Sequence, residues 1–309
     1  MDLAVGDVTA LRFDDGAPVR AASAIVPFGG GWLVAQDDAT YAAWWRGDWV
    51  TRVRVLPSAA GLDTFEKSAG TKHLKPDLEG AFPVPGDGGA VVLLGSGSAS
   101  RRTRACLLRP GRAGPVAVVA DLSGLYVAAG RALEVPPELL NFEAACVVGA
   151  TVRWFQRGVP AAGVATASVD VDLDGLLAAI AGEIPVTEVV VTAPRAYDLG
   201  EVGGVGLAIT DAVRLRDGST LVSAAAEDTD DPRLDGPVVG CVLAVLRDGV
   251  VVRSAVVPGI RGAVPKIEGL AVIEDDSSAP TGAGVRLLAT VDSDDATAPS
   301  LAVSLNARW

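Results

Sequence analysis

One unit of sequence returns along the chain at intervals of 56 to 67 residues. Each copy opens with a polar residue at the head of a short apolar run, passes through a turn, and continues into a second apolar run. The residues that open the copies are Ser23, Glu79, Glu143, Thr210 and Glu268. Periods of this length, with about four short strands each, are typical of β-propeller blades rather than of a β-sandwich.

The apolar residues are mainly Val, Ala and Leu, in short runs between Gly, Pro and Asp. Such runs favour strands over helices. We therefore predict an all-β protein that forms a five-bladed β-propeller as a single domain, residues 1–309. The blades are expected at residues 20–56, 75–128, 139–192, 203–257 and 264–309.

The last unit supplies only three strands, and the missing fourth strand is available near the N-terminus, within residues 3–13. A last blade completed by the first strand closes the ring and removes an exposed sheet edge. The third unit is irregular, because residues 173–180 predict a short helix and residues 188–192 an outer strand. A sixth, degenerate blade in that region and a large two-sheet sandwich are the alternatives.

Composition excludes several classes of function. The formal net charge of −12 disfavours binding to nucleic acid or to anionic membranes, both of which need a basic surface. No apolar stretch reaches the roughly 20 residues of a membrane span, and the first residues contain no basic segment typical of a signal peptide. The three cysteines form no CxxC pair, which indicates buried thiols in a reducing compartment. We expect a cytoplasmic monomer.

In a propeller, the innermost strand of each blade begins beside the central axis, so the five opening residues should converge there. Three carboxylates that meet without a cation repel one another and take up protons. Oxygen ligands without His or Cys favour Ca²⁺, with Mg²⁺ or Mn²⁺ as alternatives. The predicted metal ligands are Ser23, Glu79, Glu143, Thr210 and Glu268. Alternatively, the glutamates bond to backbone N–H groups or to water in the channel.

The second strand of each blade ends at the face where the first strand began, so both sets of ends should surround the axis. Basic side chains and a Gly-Ser-Gly-Ser segment at these ends can bind a small anion. The predicted substrate-binding residues are Lys75, Arg101, Arg102, Arg157, Lys266, Ser96 and Ser98, with Lys72 on the same face. The candidate proton acceptors are Asp77, His73, Asp228 and Asp292. Alternatively, the arginines form a solvated loop or tie adjacent blades together.

The five-position pattern resembles that of the five-bladed calcium-activated nucleotidases, or apyrases, with Thr210 in place of one serine. The resemblance implies an axial Ca²⁺ and hydrolysis of nucleoside di- and triphosphates. The segments Asp-Leu-Glu-Gly at 77–80 and Asn-Phe-Glu at 141–143 also look like those of an uncharacterised family of bacterial phytase-like or esterase-like propellers.

Three functions are consistent with these patterns. The first is a metal-dependent hydrolase that acts on a small anionic substrate, a phosphoester or phosphoanhydride. The second is an esterase or lactonase that uses the same metal to polarise a carbonyl group. The third is a non-catalytic propeller that binds a ligand or partner and holds a structural ion. Fold alone does not decide among them.

Overall fold

A computed structural model of the protein describes residues 1–229, 236–279, 282–292 and 297–309. Its strands form five small antiparallel sheets arranged in a ring, which confirms the five-bladed β-propeller. The innermost strands contact one another in chain order, and the innermost strand of the last blade returns to that of the first.

The strands are numbered along the chain. The N-terminal strand is β1 (Asp2–Ala10). Blade one contains β2 (Ala22–Phe28), β3 (Gly31–Gln36), β4 (Tyr41–Arg46) and β5 (Trp49–Arg54). Blade two contains β6 (Leu78–Pro83), β7 (Val91–Gly95), β8 (Arg104–Arg109) and β9 (Val116–Asp121). Blade three contains β10 (Phe142–Val148), β11 (Thr151–Gln156), β12 (Thr166–Asp172) and β13 (Val191–Tyr197).

Blade four contains β14 (Glu201–Val202), β15 (Val205–Arg214), β16 (Thr220–Glu227), β17 (Val238–Arg247) and β18 (Val250–Val256). Blade five contains β19 (Lys266–Asp275), β20 (Gly284–Asp292) and β21 (Leu301–Arg308). Strand β1 pairs antiparallel with β21 and supplies the outermost strand of this blade. The predicted closure of the ring by the N-terminal strand is therefore confirmed.

The core is divided into five hydrophobic clusters, one between each pair of adjacent blades. Alternate residues of one strand serve different clusters, because successive side chains point to opposite faces of a sheet. In β7, Val91 and Leu93 pack towards blade one, whereas Val92 and Leu94 pack towards blade three. Both faces of each blade are buried, which explains the continuous apolar runs in the sequence.

Two α-helices, α1 (Ser123–Ala132) and α2 (Leu173–Ala181), cover the cluster between blades two and three. The predicted helix at 173–180 corresponds to α2, whereas α1 was not predicted. Strand β13 begins at Val191, later than predicted, because a 3₁₀ turn, Val186–Glu188, precedes it. The irregularity of the third unit therefore comes from a helical insertion within one blade, and the described residues form no sixth blade.

The three cysteines are buried and free, in three different blades. Among the described residues, no helix is both long and apolar enough to cross a membrane.

Candidate functional site

Each innermost strand has a β-bulge near the axial end of the blade. In all five strands the register shifts by one residue against the neighbouring strand. The extra residues are Ser23, Glu79, Glu143, Thr210 and Glu268. A bulge re-aims the side chain of its extra residue out of the regular alternation, so the recurring polar residues coincide with five equivalent breaks in the sheets.

The two hydroxyl residues of this set connect adjacent blades. Ser23 Oγ donates to the carbonyl oxygen of Leu78 at 2.5 Å, and Thr210 Oγ1 donates to that of Ile267 at 2.5 Å. Both acceptors immediately precede an axial glutamate of the next blade. Ser23 and Thr210 thereby fix the backbone that presents Glu79 and Glu268.

A small polar cavity of about 70 Å³ lies at the axial end of the blades. Six carboxylate residues and five basic residues line it, so their formal charges nearly balance. The carboxylates are Asp37, Asp77, Glu79, Glu143, Glu268 and Asp292, and the basic residues are Lys72, Lys75, Arg102, Arg157 and Lys266. The cavity holds a few waters or the reacting group of a ligand, but it is far smaller than the roughly 300 to 1,000 Å³ of typical ligand pockets.

Asp77 is the centre of the ion pairs on the side of blades one and two. Its Oδ1 lies 2.8 Å from Lys75 Nζ, and Lys75 also bonds to Asp37. Asp77 Oδ2 accepts hydrogen bonds from Arg102 Nη1 at 2.7 Å, from Ser96 Oγ at 2.5 Å and from Ser98 Oγ at 3.2 Å. Although burial acts to raise it, Lys75 and Arg102 lower the pKa of Asp77 to about 2. Asp77 is therefore a fully bonded anion.

The backbone at Asp77 is left-handed, with φ of +58°, which is uncommon for a residue with a side chain. Its N–H donates to the carbonyl oxygen of Asp37 at 2.9 Å, and its own carbonyl oxygen accepts from the N–H of Ser96 at 2.9 Å. The first bond joins blades one and two, the second lies within blade two, and together they hold the strained conformation. Residues held in such conformations cluster at functional sites.

The predicted anion-binding segment uses its donors internally. The Gly97 N–H donates to the carbonyl oxygen of Arg102, and the Ser98 N–H donates to Ser96 Oγ. The two serine hydroxyls bond to Asp77. The segment therefore supports Asp77 and Arg102 and offers neither of these two N–H groups to the cavity.

A second chain of buried ion pairs runs through blades three, four and five. Arg157 bonds to Glu143 Oε1 at 3.0 Å through Nη1 and contacts Glu227 Oε1 at 2.8 Å through Nη2. Lys266 Nζ lies 3.2 Å from Glu227 and 2.8 Å from Glu268. Asn141 Nδ2 also donates to Glu143 Oε1 at 2.8 Å.

Two axial glutamates keep carboxylate oxygens without protein partners. Glu143 Oε2 is buried and accepts no hydrogen bond, and the Glu79 carboxylate makes no side-chain hydrogen bond or ion pair among the described residues. Burial raises the pKa of Glu143 and, helped by Asp77 and Asp37, raises the pKa of Glu79 well above its ordinary value. Burial also raises the pKa of Glu268 to about 8, against the effect of Lys266. Each of these carboxyl groups therefore keeps its proton to a higher pH than an exposed glutamate.

Within the described residues, one group of carboxylates is close enough to share a metal ion. Oxygens of Asp37, Asp77 and Glu79 lie within 4.8 Å of one another. Glu143 and Glu268 do not form such a group with Glu79 in this arrangement. The donors are all oxygens, as Ca²⁺ and Mg²⁺ prefer, but the ammonium of Lys75 already contacts Asp37 and Asp77.

Most of the predicted site residues line the cavity. They are Ser23, Lys75, Asp77, Glu79, Ser98, Arg102, Glu143, Arg157, Lys266, Glu268 and Asp292. Ser96 lies behind Asp77, and Thr210 is buried with its hydroxyl turned to Ile267 and Ser223.

Besides Ser96 and Thr210, three predicted residues do not line the cavity. Arg101 lines a separate cleft with Arg104, because the turn before β8 directs Arg102 inwards instead. Asp228 is exposed just beyond β16, whereas the preceding Glu227 is buried, as expected where successive side chains alternate in direction. His73 is exposed in a 3₁₀ turn, with Nδ1 3.1 Å from the carbonyl oxygen of Gly70.

Three residues that the sequence did not single out belong to the site. Asp37 and Glu227 occupy the axial ends of second strands, and Asn141 precedes an axial glutamate by two positions. The ends of the second strands were predicted to lie at this face. From the acidic residues at these ends, the prediction took Asp228 and Asp292 and passed over Asp37 and Glu227.

The chain is similar in overall shape to several solved structures. A luciferin-regenerating enzyme is 10% identical with a TM-score of 0.42, over 93% of this chain and 78% of the other. The Pan2 WD40 domain of Neurospora crassa is 10% identical with a TM-score of 0.38, over 99% and 97%. A gluconolactonase from Xanthomonas campestris is 11% identical with a TM-score of 0.33, over 99% of each chain. Similarities this low carry no argument about function.

A search of curated proteins found no match. The profile of a protein family described as a family of unknown function, DUF6910, matches residues 71–296. This match lends no support to the expected resemblance to apyrases or to phytase-like propellers. Because it covers well over half of the chain, the protein belongs to the DUF6910 family.

Proposed function

We propose that the protein is a metal-dependent hydrolase that cleaves a small ester or lactone in the axial cavity. The observation that carries this proposal is the pair of uncompensated carboxylates. Glu79 and Glu143 Oε2 have no protein partner among the described residues, although the cavity contains five basic residues. Glu79 is half-buried and Glu143 is buried, and ionised carboxylate oxygens without partners are costly in such positions, so they favour a bound cation and a bound proton donor.

The corner formed by Asp37, Asp77 and Glu79 is the proposed cation site. A divalent cation there has to displace the ammonium of Lys75, which would free one oxygen of Asp77 and relieve the repulsion between Glu79 and its neighbours. We expect Ca²⁺, with Mg²⁺ or Mn²⁺ as alternatives, because the donors are all oxygens. When bound, such an ion polarises a carbonyl oxygen.

Glu143 is the proposed proton acceptor. Its Oε1 is fixed by Asn141 and Arg157, which leaves Oε2 directed to no protein donor. The oxygen of a water molecule would bond to the acyl carbon while Glu143 takes the proton. The acyl–oxygen bond then breaks, and the proton passes to the leaving alkoxide. The fully bonded Asp77, with its pKa held at about 2, is poorly suited to this role.

Charge balance favours an ester or lactone over the phosphoester expected first. Lys75, Arg102, Arg157 and Lys266 each already contact a carboxylate. Apart from the proposed cation, a phosphate group would enter a cavity in which carboxylates outnumber basic residues by six to five. An uncharged carbonyl compound avoids that repulsion.

The test is a screen of aryl esters, lactones, phosphoesters and nucleotides with Ca²⁺, Mg²⁺ or Mn²⁺ and with a chelator. We expect cation-dependent turnover of esters or lactones that falls by about a hundredfold or more in Glu79→Gln and Glu143→Gln. The matched control is Glu274→Gln, since the Glu274 side chain is 61% exposed and pairs with Arg286 far from the cavity.

Full activity in both axial variants would overturn the proposed role of the cavity. Turnover of phosphoesters alone would support the phosphoester hydrolase that the sequence predicted first. If the cation raises the melting temperature but no compound is hydrolysed, the propeller is a binding protein with a structural ion.

A further inference from the structure

A second, much larger groove adjoins the axial cavity. It has a volume of about 870 Å³ and lies between helix α1 and the segment that connects β7 to β8. Residues 135–140, which lead into β10, form its third side. A volume of this size is within the range of pockets that hold small organic ligands.

The groove is mainly apolar in its interior. Tyr126, Val127, Val135 and Leu140 line it, and Val127 is 53% exposed on the helix. Its charged residues lie on exposed positions around it and not against the axial cavity. An open apolar groove beside a small polar cavity is the arrangement expected for a ligand with one polar and one apolar end.

The two spaces share a wall. Ser98 lines both, and on two further segments neighbouring residues face different sides. Arg102 lines the cavity whereas Thr103 lines the groove, and Asn141 lines the cavity whereas Leu140 lines the groove. A molecule that crosses this wall would therefore pass within reach of the bonded group of Asp77, Ser98 and Arg102.

The wall has a fixed conformation. Gly97 has φ of +74°, and a Cβ atom at this position would lie 2.1 Å from the ring of Tyr126. The hydroxyl of Tyr126 donates to the carbonyl oxygen of Gly95 at 2.5 Å. Helix α1 is thereby attached to the connecting segment, so the groove keeps its place relative to the cavity.

We propose that this groove binds the apolar acyl chain of an ester whose carbonyl group reaches the axial cavity. This inference rests on the proposed hydrolase function, and it specifies the substrate as an ester with an apolar acyl chain. The small cavity holds only the reacting group, and the groove supplies the space for the rest of the acyl chain.

The proposal is tested with two compound series. The first comprises p-nitrophenyl esters from acetate to octanoate, with KM and kcat measured at saturating Ca²⁺. The second comprises 2-butanone to 2-octanone, which carry a carbonyl group and an alkyl chain but have no ester bond to hydrolyse. Each added methylene that enters the groove should strengthen binding about fourfold, until the groove is filled.

The informative variant is Val127→Glu, which places a charge in the groove at an exposed helical position. Val116→Glu is the control, because Val116 is 59% exposed on β9 and lies outside both spaces. We expect Val127→Glu to weaken binding of the octanoyl ester and of 2-octanone by about tenfold or more. Every measurement on Val116→Glu should remain unchanged.

The outcomes separate the two proposals. Turnover of esters without any dependence on chain length, with equal binding of all ketones, would overturn the groove and leave the hydrolase intact. Binding of 2-octanone that depends on Val127, without turnover of any ester, would overturn the hydrolase and leave the groove as a binding site. Absence of both turnover and ketone binding would overturn both.

Discussion

Replacing Arg157 with methionine would leave two buried carboxylates short of a positive partner. Arg157 is 7% exposed and contacts Glu143 at 3.0 Å and Glu227 at 2.8 Å. Removing one partner of a buried ion pair costs about 3 to 5 kcal/mol. Glu227 keeps Lys266, so we expect the lower end, about 3 kcal/mol, or a fall of about 6 °C in melting temperature for a chain of this size.

The control is Arg247→Met. Arg247 pairs with Asp217 at 2.6 Å, but its side chain is 54% exposed. Exposed pairs contribute less than about 1 kcal/mol. Urea denaturation of both variants, in buffer with chelator, compares a buried and an exposed arginine that each bond to carboxylates.

The dependence on pH follows from Glu143. Burial raises the pKa of Glu143 above its ordinary value of 4.5, against the opposing effect of Arg157. A carboxyl group with a raised folded-state pKa costs stability increasingly as pH rises from the unfolded to the folded pKa. Loss of Arg157 raises this pKa further, so the deficit should be larger at about pH 8 than at about pH 5.

The double variant Arg157→Met/Glu143→Gln tests the cause directly, because it removes the uncompensated charge. It should be more stable than Arg157→Met alone, although Glu143→Gln by itself removes a bonded group. The reasoning fails if Arg157→Met is no less stable than Arg247→Met. It also fails if the losses of stability caused by Arg157→Met and Glu143→Gln simply add in the double variant.

Three further predictions concern other parts of the molecule. Lys75→Met should raise the affinity for Ca²⁺ by about tenfold or more in calorimetry, because at an effective dielectric constant of about 20 a unit positive charge about 4 Å away opposes a divalent cation by up to about 8 kcal/mol. An unchanged affinity would place the ion elsewhere. The three cysteine thiols should not react with Ellman's reagent at about pH 8 until the chain unfolds, because burial raises the pKa of Cys106, Cys146 and Cys241 to about 12. Rapid labelling of the native protein would contradict this. Gly97→Ala should lower the free energy of unfolding by about 2 to 4 kcal/mol, since its Cβ would overlap Tyr126. The control Gly30→Ala, with φ of +77° and no atom within 4 Å of the new Cβ, should cost about 1 kcal/mol. Equal losses in the two variants would show that the positive φ, and not the overlap with Tyr126, determines the cost.

The architecture could be predicted from sequence because a single local event is repeated five times. Each blade breaks its register at a polar residue that opens an apolar run, so the repeat pattern alone identifies Glu79, Glu143 and Glu268 as equivalent positions. Helix α1 escaped prediction because it is short and contains two glycines and a valine, which are weak helix formers. Its packing between two blades stabilises it instead.

The pairing of charges could not be predicted in the same way. Arg101 and Arg102 are adjacent and chemically identical, yet only Arg102 reaches Asp77. The difference arises from a turn closed by the bond from the Arg102 N–H to the carbonyl oxygen of Ala99. Likewise, the expected basic residues other than Arg101 lie at the axis, but much of this set is bonded to Asp37, Asp77 and Glu227. It therefore offers less positive charge to a ligand than a count of residues suggests.

The ion pairs divide the charged residues of the cavity into two groups. Lys75 and Arg102 neutralise Asp37 and Asp77 on blades one and two. Arg157 and Lys266 serve the acidic residues of blades three to five.

Glu79 and Glu143 line the cavity on the two sides of this division. Among the described residues, Glu143 Oε2 accepts no hydrogen bond and Glu79 has no hydrogen bond or ion pair, whereas Glu227, whose oxygens also accept no hydrogen bond, is held by ion pairs to Arg157 and Lys266. An axis built only for stability would gain more from apolar side chains at the bulges than from charges of this kind. The uncompensated charge is concentrated where two independent networks meet, and a cation bound beside Glu79 would stand opposite a proton acceptor on Glu143. If hydrolysis occurs in this propeller, the bond that breaks should therefore lie between blades two and three, next to the groove.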